Sequence, residues 1–194
     1  MTNESPSQAD LELWHRIEND EAGTWRLFYG HQTGVKKHIS QHLSAIDEIG
    51  MRIKRAEESE CYIELMSLRL QIIDFWLRIF IENQSPQTKR QREFGRLIEQ
   101  VKEHGFSPDI GQRLTAFNTS RVSAIHGFII GAIKYDEVER DAKSCRSLVV
   151  EVVKFVIQNT GIVVTSREQL VADVGAMVIH AEGFCAEVED GRRY

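Results

Sequence analysis

The chain has 194 residues, 42% of them hydrophobic and 27% charged. That is the profile of one globular domain able to bury roughly 70% of its unfolded surface without a disulfide or metal staple. A formal charge of −5 excludes a strongly basic protein that coats nucleic acid, although a local basic patch stays compatible with RNA. Only three prolines and scarcely any strand-like runs exclude a β-sandwich or barrel. The three cysteines, Cys61, Cys145 and Cys185, are odd in number and lack C-x-x-C spacing. They are expected to be reduced thiols of a cytoplasmic protein.

Residues 1–10 are polar, without the basic and apolar regions of a signal peptide, and are expected to form a disordered arm. Residues 11–34 hold a short helix at 11–17 and three glycines, Gly23, Gly30 and Gly34, and their role is open. From Val35 the apolar residues Ile39, Leu43, Ile46, Ile49 and Ile53 step by three and four along one helix face. Ser59 is expected to cap a helix over 60–83, in which Asp74, Arg78 and Glu82 form an i,i+4 ladder. Its stretch 63–81 carries Glu64, Arg69, Asp74 and Arg78, so it reads as a buried bundle helix and not as a membrane span.

A break at 83–86 precedes the basic run Lys89, Arg90, Arg92 and Arg96, which leads into a helix ending near His104 with Gly105 as its stop. Ser107-Pro108 is a start signal for a helix expected to reach Tyr135, with interruptions at Gly127 and Gly131. Asp136 and Glu139 suggest a capping pair for a helix whose seam is Val138, Ala142, Cys145, Val149, Val152 and Val156. Gly161 closes it. Residues 162–165 are strand-like, and Ser166 with Gln169 is expected to cap a last helix to about 182. The fold class is therefore all-α, a single-domain bundle of six or seven helices. It is centred on residues 35–160, with 161–194 as a C-terminal helical extension packed on it.

No phosphate-binding loop, dinucleotide fingerprint or G-x-S-x-G elbow is present, and no cofactor is expected. His38 and His42 lie four apart, but nothing completes an H-E-x-x-H-like ligand set, so no metal is expected either.

The segment 118–128 reads Asn-Thr-Ser-Arg-Val-Ser-Ala-Ile-His-Gly-Phe and contains Arg121, four residues, then His126. It resembles the Arg-x4-6-His motif of the HEPN superfamily, all-helical domains many of which are RNA endonucleases. The resemblance extends to the apolar helix at 64–69, the segment 94–98 and the approach 114–117, and covers roughly 35–159. It implies a metal-independent ribonuclease acting on single-stranded RNA as a toxin or defence effector, in a homodimer, with a cognate antitoxin or defence-system partner. Arg121 and His126 would be catalytic, with Asn118, Ser123 and the basic run as the substrate-binding set. A second Arg-x4-His match, Arg26 and His31, lies among glycines without that context. The family usually has a polar residue after the motif arginine, where this chain has Val122. That departure supports an alternative, a catalytically inactive HEPN-like dimer serving as a binding or scaffold module. Phe128 stands where a subset has tyrosine, so no nucleotide-modified tyrosine is possible there.

The chemistry of the pair agrees with either context. Histidine titrates near neutral pH and is the natural proton donor and acceptor. Arginine keeps its charge and presents a fork to phosphate oxygens. Five residues place the two about 140° apart around a helix axis, which favours convergence across two chains. Asn118 and His126 lie about 80° apart by the same geometry. The competing reading makes His126 a partly buried residue on an apolar face with Val122, Ile129 and Ile133, and Arg121 its structural partner or a surface charge. The basic run, likewise, either guides an RNA backbone or is a solvated helix start.

Overall fold

A computed structural model describes residues 27–29, 39–89, 91–128, 130–160 and 164–166. Five helices dominate them: α1 (Ile39–Glu58), α2 (Tyr62–Gln84), α3 (Phe94–Glu103), α4 (Pro108–Gly127) and α5 (Tyr135–Thr160). Two three-residue strands, β1 (Leu27–Tyr29) and β2 (Val164–Ser166), pair antiparallel with Leu27 opposite Ser166. The strand-like run at 162–165 thus contributes to β2, whereas β1 carried no signal. Ser166 ends that strand, and the helix it was expected to cap lies outside the described residues. The helices expected at 11–17 and beyond 166, and the terminal arm, lie outside the described residues.

Helix α2 is the hub. It packs against α1, α3, α4 and most extensively α5, and so it buries residues on more than one face. Leu65, Met66, Ile73, Trp76, Leu77 and Phe80 are all nearly inaccessible. Opposite them, Val138, Ala142, Cys145, Val149, Val152 and Val156 of α5 are buried at steps of three and four, the stripe expected of a helix with one apolar face. That seam is spent inside the chain and offers no surface for a second copy. Phe80, Phe106 and Phe155 meet edge-on or tilted, with centroids 4.4–5.9 Å apart, and lock the α3–α4 connection onto α2 and α5. Among the described residues, no helix is long and apolar enough to cross a membrane.

The helix ends show which local signals act. Ser59 does not cap α2. Its N–H still closes the end of α1 on the Arg55 carbonyl, Glu60 turns the chain at φ 56°, and the residue before α2 is Cys61. The expected 136/139 pair is also displaced. Glu137 accepts from the Lys134 backbone N–H at 3.1 Å, the reaching-back half of a capping box. Glu139 instead accepts from Tyr62 Oη at 3.1 Å and from Lys143 Nζ at 2.5 Å, and these bonds, the lysine's first, hold its carboxyl below the usual carboxylate range. Helix α4 stops at Gly127, short of Tyr135. Ala132 N–H bonds the Gly127 carbonyl at 2.8 Å while Gly131 takes φ 72°.

Gly105 ends α3 as its position foretold. Phe106 N–H bonds the Val101 carbonyl and Gly105 N–H that of Lys102, with Gly105 at φ 85°, a Schellman closure. A Cβ there would meet nothing within 4 Å, so substitution costs backbone strain alone. Gly105→Ala should lower unfolding free energy by about 1 kcal/mol, and Gly105→Asn by less. Urea titration of the three proteins measures the difference.

Candidate functional site

Helix α4 begins as its sequence requires: Ser107 Oγ accepts the Ile110 N–H at 3.5 Å and Pro108 fills the first turn. Its buried residues are Ile110, Gly111, Leu114, Phe117, Ala124 and Gly127. In that rhythm of three and four, position 121 is the next core-facing place after Phe117, and it holds an arginine. Arg121 is accordingly half-buried. Its Nη2 donates to Asn118 Oδ1 at 3.2 Å, while Nε is buried with no hydrogen-bond partner among the described residues. A buried donor left unbonded is uncommon and costs about 1–3 kcal/mol.

His126 lies in the last turn of α4 and is exposed. The reading that made it a partly buried core histidine is thereby overturned. Its face is not a core face: Val122, Ile125 and Phe128 are 41%, 40% and 42% exposed, and Ile130 beyond them is 77% exposed. Ile133 packs on the core from the following turn, and Ile129 lies outside the described residues. The Phe128 ring meets Tyr135 at 5.5 Å, and Tyr135 meets Tyr62 at 5.7 Å. The apolar strip therefore runs from α4 onto an aromatic cluster at the start of α5. Within one chain, Arg121 faces inward and His126 outward, as their angular offset requires.

Other members of the expected binding set are brought near α4 unequally. A Cβ at Gly95 would stand 3.6 Å from Asn118 Nδ2, so the first turn of α3 lies against the Asn118–Arg121 pair. Arg96 in that turn is exposed and bonded to Glu93 at 3.1 Å. Lys89 and Arg92 are exposed in the connector before it. That connector is held through its backbone: Lys89 O accepts from Gln100 Nε2 at 3.2 Å and Gln91 O from Arg78 Nη1 at 2.8 Å. Arg78 is in turn clamped by Asp74 at 2.6 and 2.9 Å. Ser123 is half-buried on α4. Arg90, His38 and the second match, Arg26 and His31, lie outside the described residues, as do the side chain of His42 and Cys185.

Among the described residues, no group of three or more His, Cys, Asp or Glu is placed to hold a metal ion. What the arrangement offers is one exposed imidazole, one inward guanidinium with a spare donor, an amide linking it to α3, and cations on the adjoining connector. The apolar strip and the orphaned donor were missed from sequence. Val122, Ile125 and Phe128 at helical spacing beside a glycine stop were the available signal. Compared with protein-family models, with curated proteins and with solved structures, the chain finds no match in any of the three.

Proposed function

We propose that the chain is a HEPN-like, metal-independent RNA endonuclease, a cytoplasmic toxin or defence effector that works as a homodimer on single-stranded RNA. The bundle described above, completed by the helices expected outside the described residues, would be the six- or seven-helix domain of that family. The observation that carries the reading is the unbonded Arg121 Nε on the helix that presents His126 to solvent. Swinging the guanidinium outward toward a phosphate oxygen gives the orphaned donor an acceptor. His126 then moves the proton between the attacking 2′-hydroxyl and the leaving 5′-oxygen, and Arg121 meets the charge of the phosphorane. Lys89, Arg92 and Arg96 supply backbone affinity that weakens with salt. Incubation with single-stranded RNA in EDTA tests this: products with cyclic phosphate ends are expected. Intact RNA across several substrates leaves the scaffold reading in its place.

That second reading, an inactive HEPN-like dimer acting as a binding module, is favoured by one observation. The strip of Val122, Ile125, Phe128 and Ile130 is apolar and exposed beside the motif, and a water-exposed strip of this kind marks an interaction surface. Both readings include a dimer, and an isologous pairing through this strip would set the α4 helices of the two copies, with their Arg121 and His126, side by side. Light scattering should give about 45 kDa, twice the 22.3 kDa of the chain, and Ile125→Glu should return the protein to about 22 kDa. A wild-type mass of 22 kDa at micromolar concentration removes the dimer.

A further inference from the structure

Among the described residues, α4 borders two clefts of note. One, of about 540 Å³, lies beside Lys102 and Thr115. Apart from the exposed Gln112 its polar side chains are already engaged: Lys102 Nζ bonds Glu99 at 2.9 Å and Thr115 at 3.0 Å, and the Thr115 and Thr119 hydroxyls bond backbone carbonyls. The other, of about 340 Å³, lies between α4 and α5, with Ala116, Phe117 and Leu148 as apolar wall and Ser120, Asp141 and Arg113 among its polar groups. Phe117 and Leu148 are only 6% and 3% exposed, so they close the bottom of the cleft and offer little surface to a ligand.

The hydrogen-bonding inventory of this second cleft is lopsided. Arg113 spends two of its five N–H donors, one of Nη1 on Glu151 and one of Nη2 on Ser147 Oγ at 3.3 Å. Ser144 and Ser147, also on the wall, give their protons to the carbonyls of Asp141 and Ser144, which leaves their oxygens only as acceptors. The Asp141 carboxylate has one contact, Arg140 Nε on Oδ1 at 3.4 Å and largely exposed, a weak tie. The Ser120 hydroxyl and the remaining Arg113 N–H groups are its donors. A phosphate or carboxylate would reach them only beside the Asp141 carboxylate, which repels it. A cationic ligand would meet the Arg113 guanidinium in the same wall. What fits is a neutral, flat molecule that turns an N–H edge to Asp141 and acceptors to Ser120 and Arg113.

We propose that the α4–α5 cleft is a nucleobase-binding site selective for a purine with a donor edge, guanine above the other common bases. Two N–H groups of guanine can meet one carboxylate in parallel, the recognition a splayed-out single-stranded base allows. Ser120 adjoins Arg121 in sequence, so under the ribonuclease reading the cleft would hold a base flanking the cut phosphate. The binding claim does not require cleavage.

Calorimetry or saturation-transfer NMR on the full chain tests it with guanosine, inosine, uridine and methylguanidinium. Guanosine should bind saturably, inosine several-fold more weakly for want of the exocyclic amine, and the other two at least tenfold more weakly. Asp141→Asn should weaken guanosine at least tenfold, and Ala116→Trp, at an exposed position that fills the cleft, should abolish binding, with both variants melting like wild type. Absence of saturable guanosine binding by wild type overturns the proposal. So does guanosine affinity unchanged in Asp141→Asn, or stronger binding of methylguanidinium. The two readings fail separately: guanosine binding through Asp141 by a protein inert on RNA retires the ribonuclease, and RNA cleavage without guanosine binding retires the cleft.

Discussion

His126→Ala should lower the rate of RNA cleavage by about 10²–10⁴-fold, the range for loss of a positioned proton-transfer group. Arg121→Ala should cost about 10²–10³-fold, as removal of one partner of transition-state charge does. The structure separates the two in a second respect. His126 is exposed with its face to solvent, so its removal should leave the melting temperature unchanged. Arg121 occupies a core-facing place in α4 with one donor unbonded. Losing that orphan relieves a cost, and losing the bond to Asn118 restores one, so the net change in stability should stay within about 1 kcal/mol. Rates are compared in EDTA over a pH series. Equal activity of His126→Ala and wild type ends the assignment of His126.

Val122→Asn probes the departure after the motif arginine. Val122 is 41% exposed, so asparagine is accommodated without disturbing the core, and it adds a polar group beside both Arg121 and His126. Cleavage should rise if the wild-type site is a weakened catalyst. The double variant Arg121→Ala/His126→Ala should remain folded and dimeric, because the proposed pairing runs through the apolar strip of Val122, Ile125, Phe128 and Ile130 and not through these two side chains. A lost dimer there shifts both residues to a structural role.

What the sequence made legible was local or periodic. Gly105 and Ser107-Pro108 declare their helix ends because a positive φ and a missing N–H are properties of those residues wherever they occur. The seam of α5 follows from spacing alone. Ser59 misled because a good cap residue also fits the end of the preceding helix, and Glu60 turns the chain there. Leu27–Tyr29 pairs with residues far along the chain, and three residues carry no period. At the site, spacing separated Arg121 from His126 around the helix, but it left open whether Val122 and its apolar neighbours are covered. Periodicity reports that a face is apolar and is silent on whether anything covers it. The α4–α5 cleft was invisible for a different reason: Asp141, Ser120 and Phe117 come together only when two helices pack.

Arg69 shows the same limit with the opposite sign. In sequence it is one of four ionisable groups that make a membrane span untenable; in the fold it is 1% exposed at the centre of the bundle. Its Nη1 donates to the Ala142 carbonyl at 2.5 Å and its Nη2 to Glu57 Oε1 at 2.7 Å, joining α2 to α5 and to the end of α1. The Glu57 side chain is 42% exposed, so removing the arginine leaves a carboxylate that water can solvate, not a buried charge. The cost of Arg69→Ala is then the cavity and the lost bonds, about 3 kcal/mol, or a fall in melting temperature of roughly 6–12 °C for a chain of this size. Arg69→Met keeps most of the volume and should cost less than about 1.5 kcal/mol. Glu57→Ala strips a carboxylate from a guanidinium that stays buried. With solvent screening on the acidic side it should fall between the two. Urea unfolding of the three variants gives the order. If Arg69→Met proves as damaging as Arg69→Ala, the polar bonds and not the filled volume hold α2 to α5 at this point.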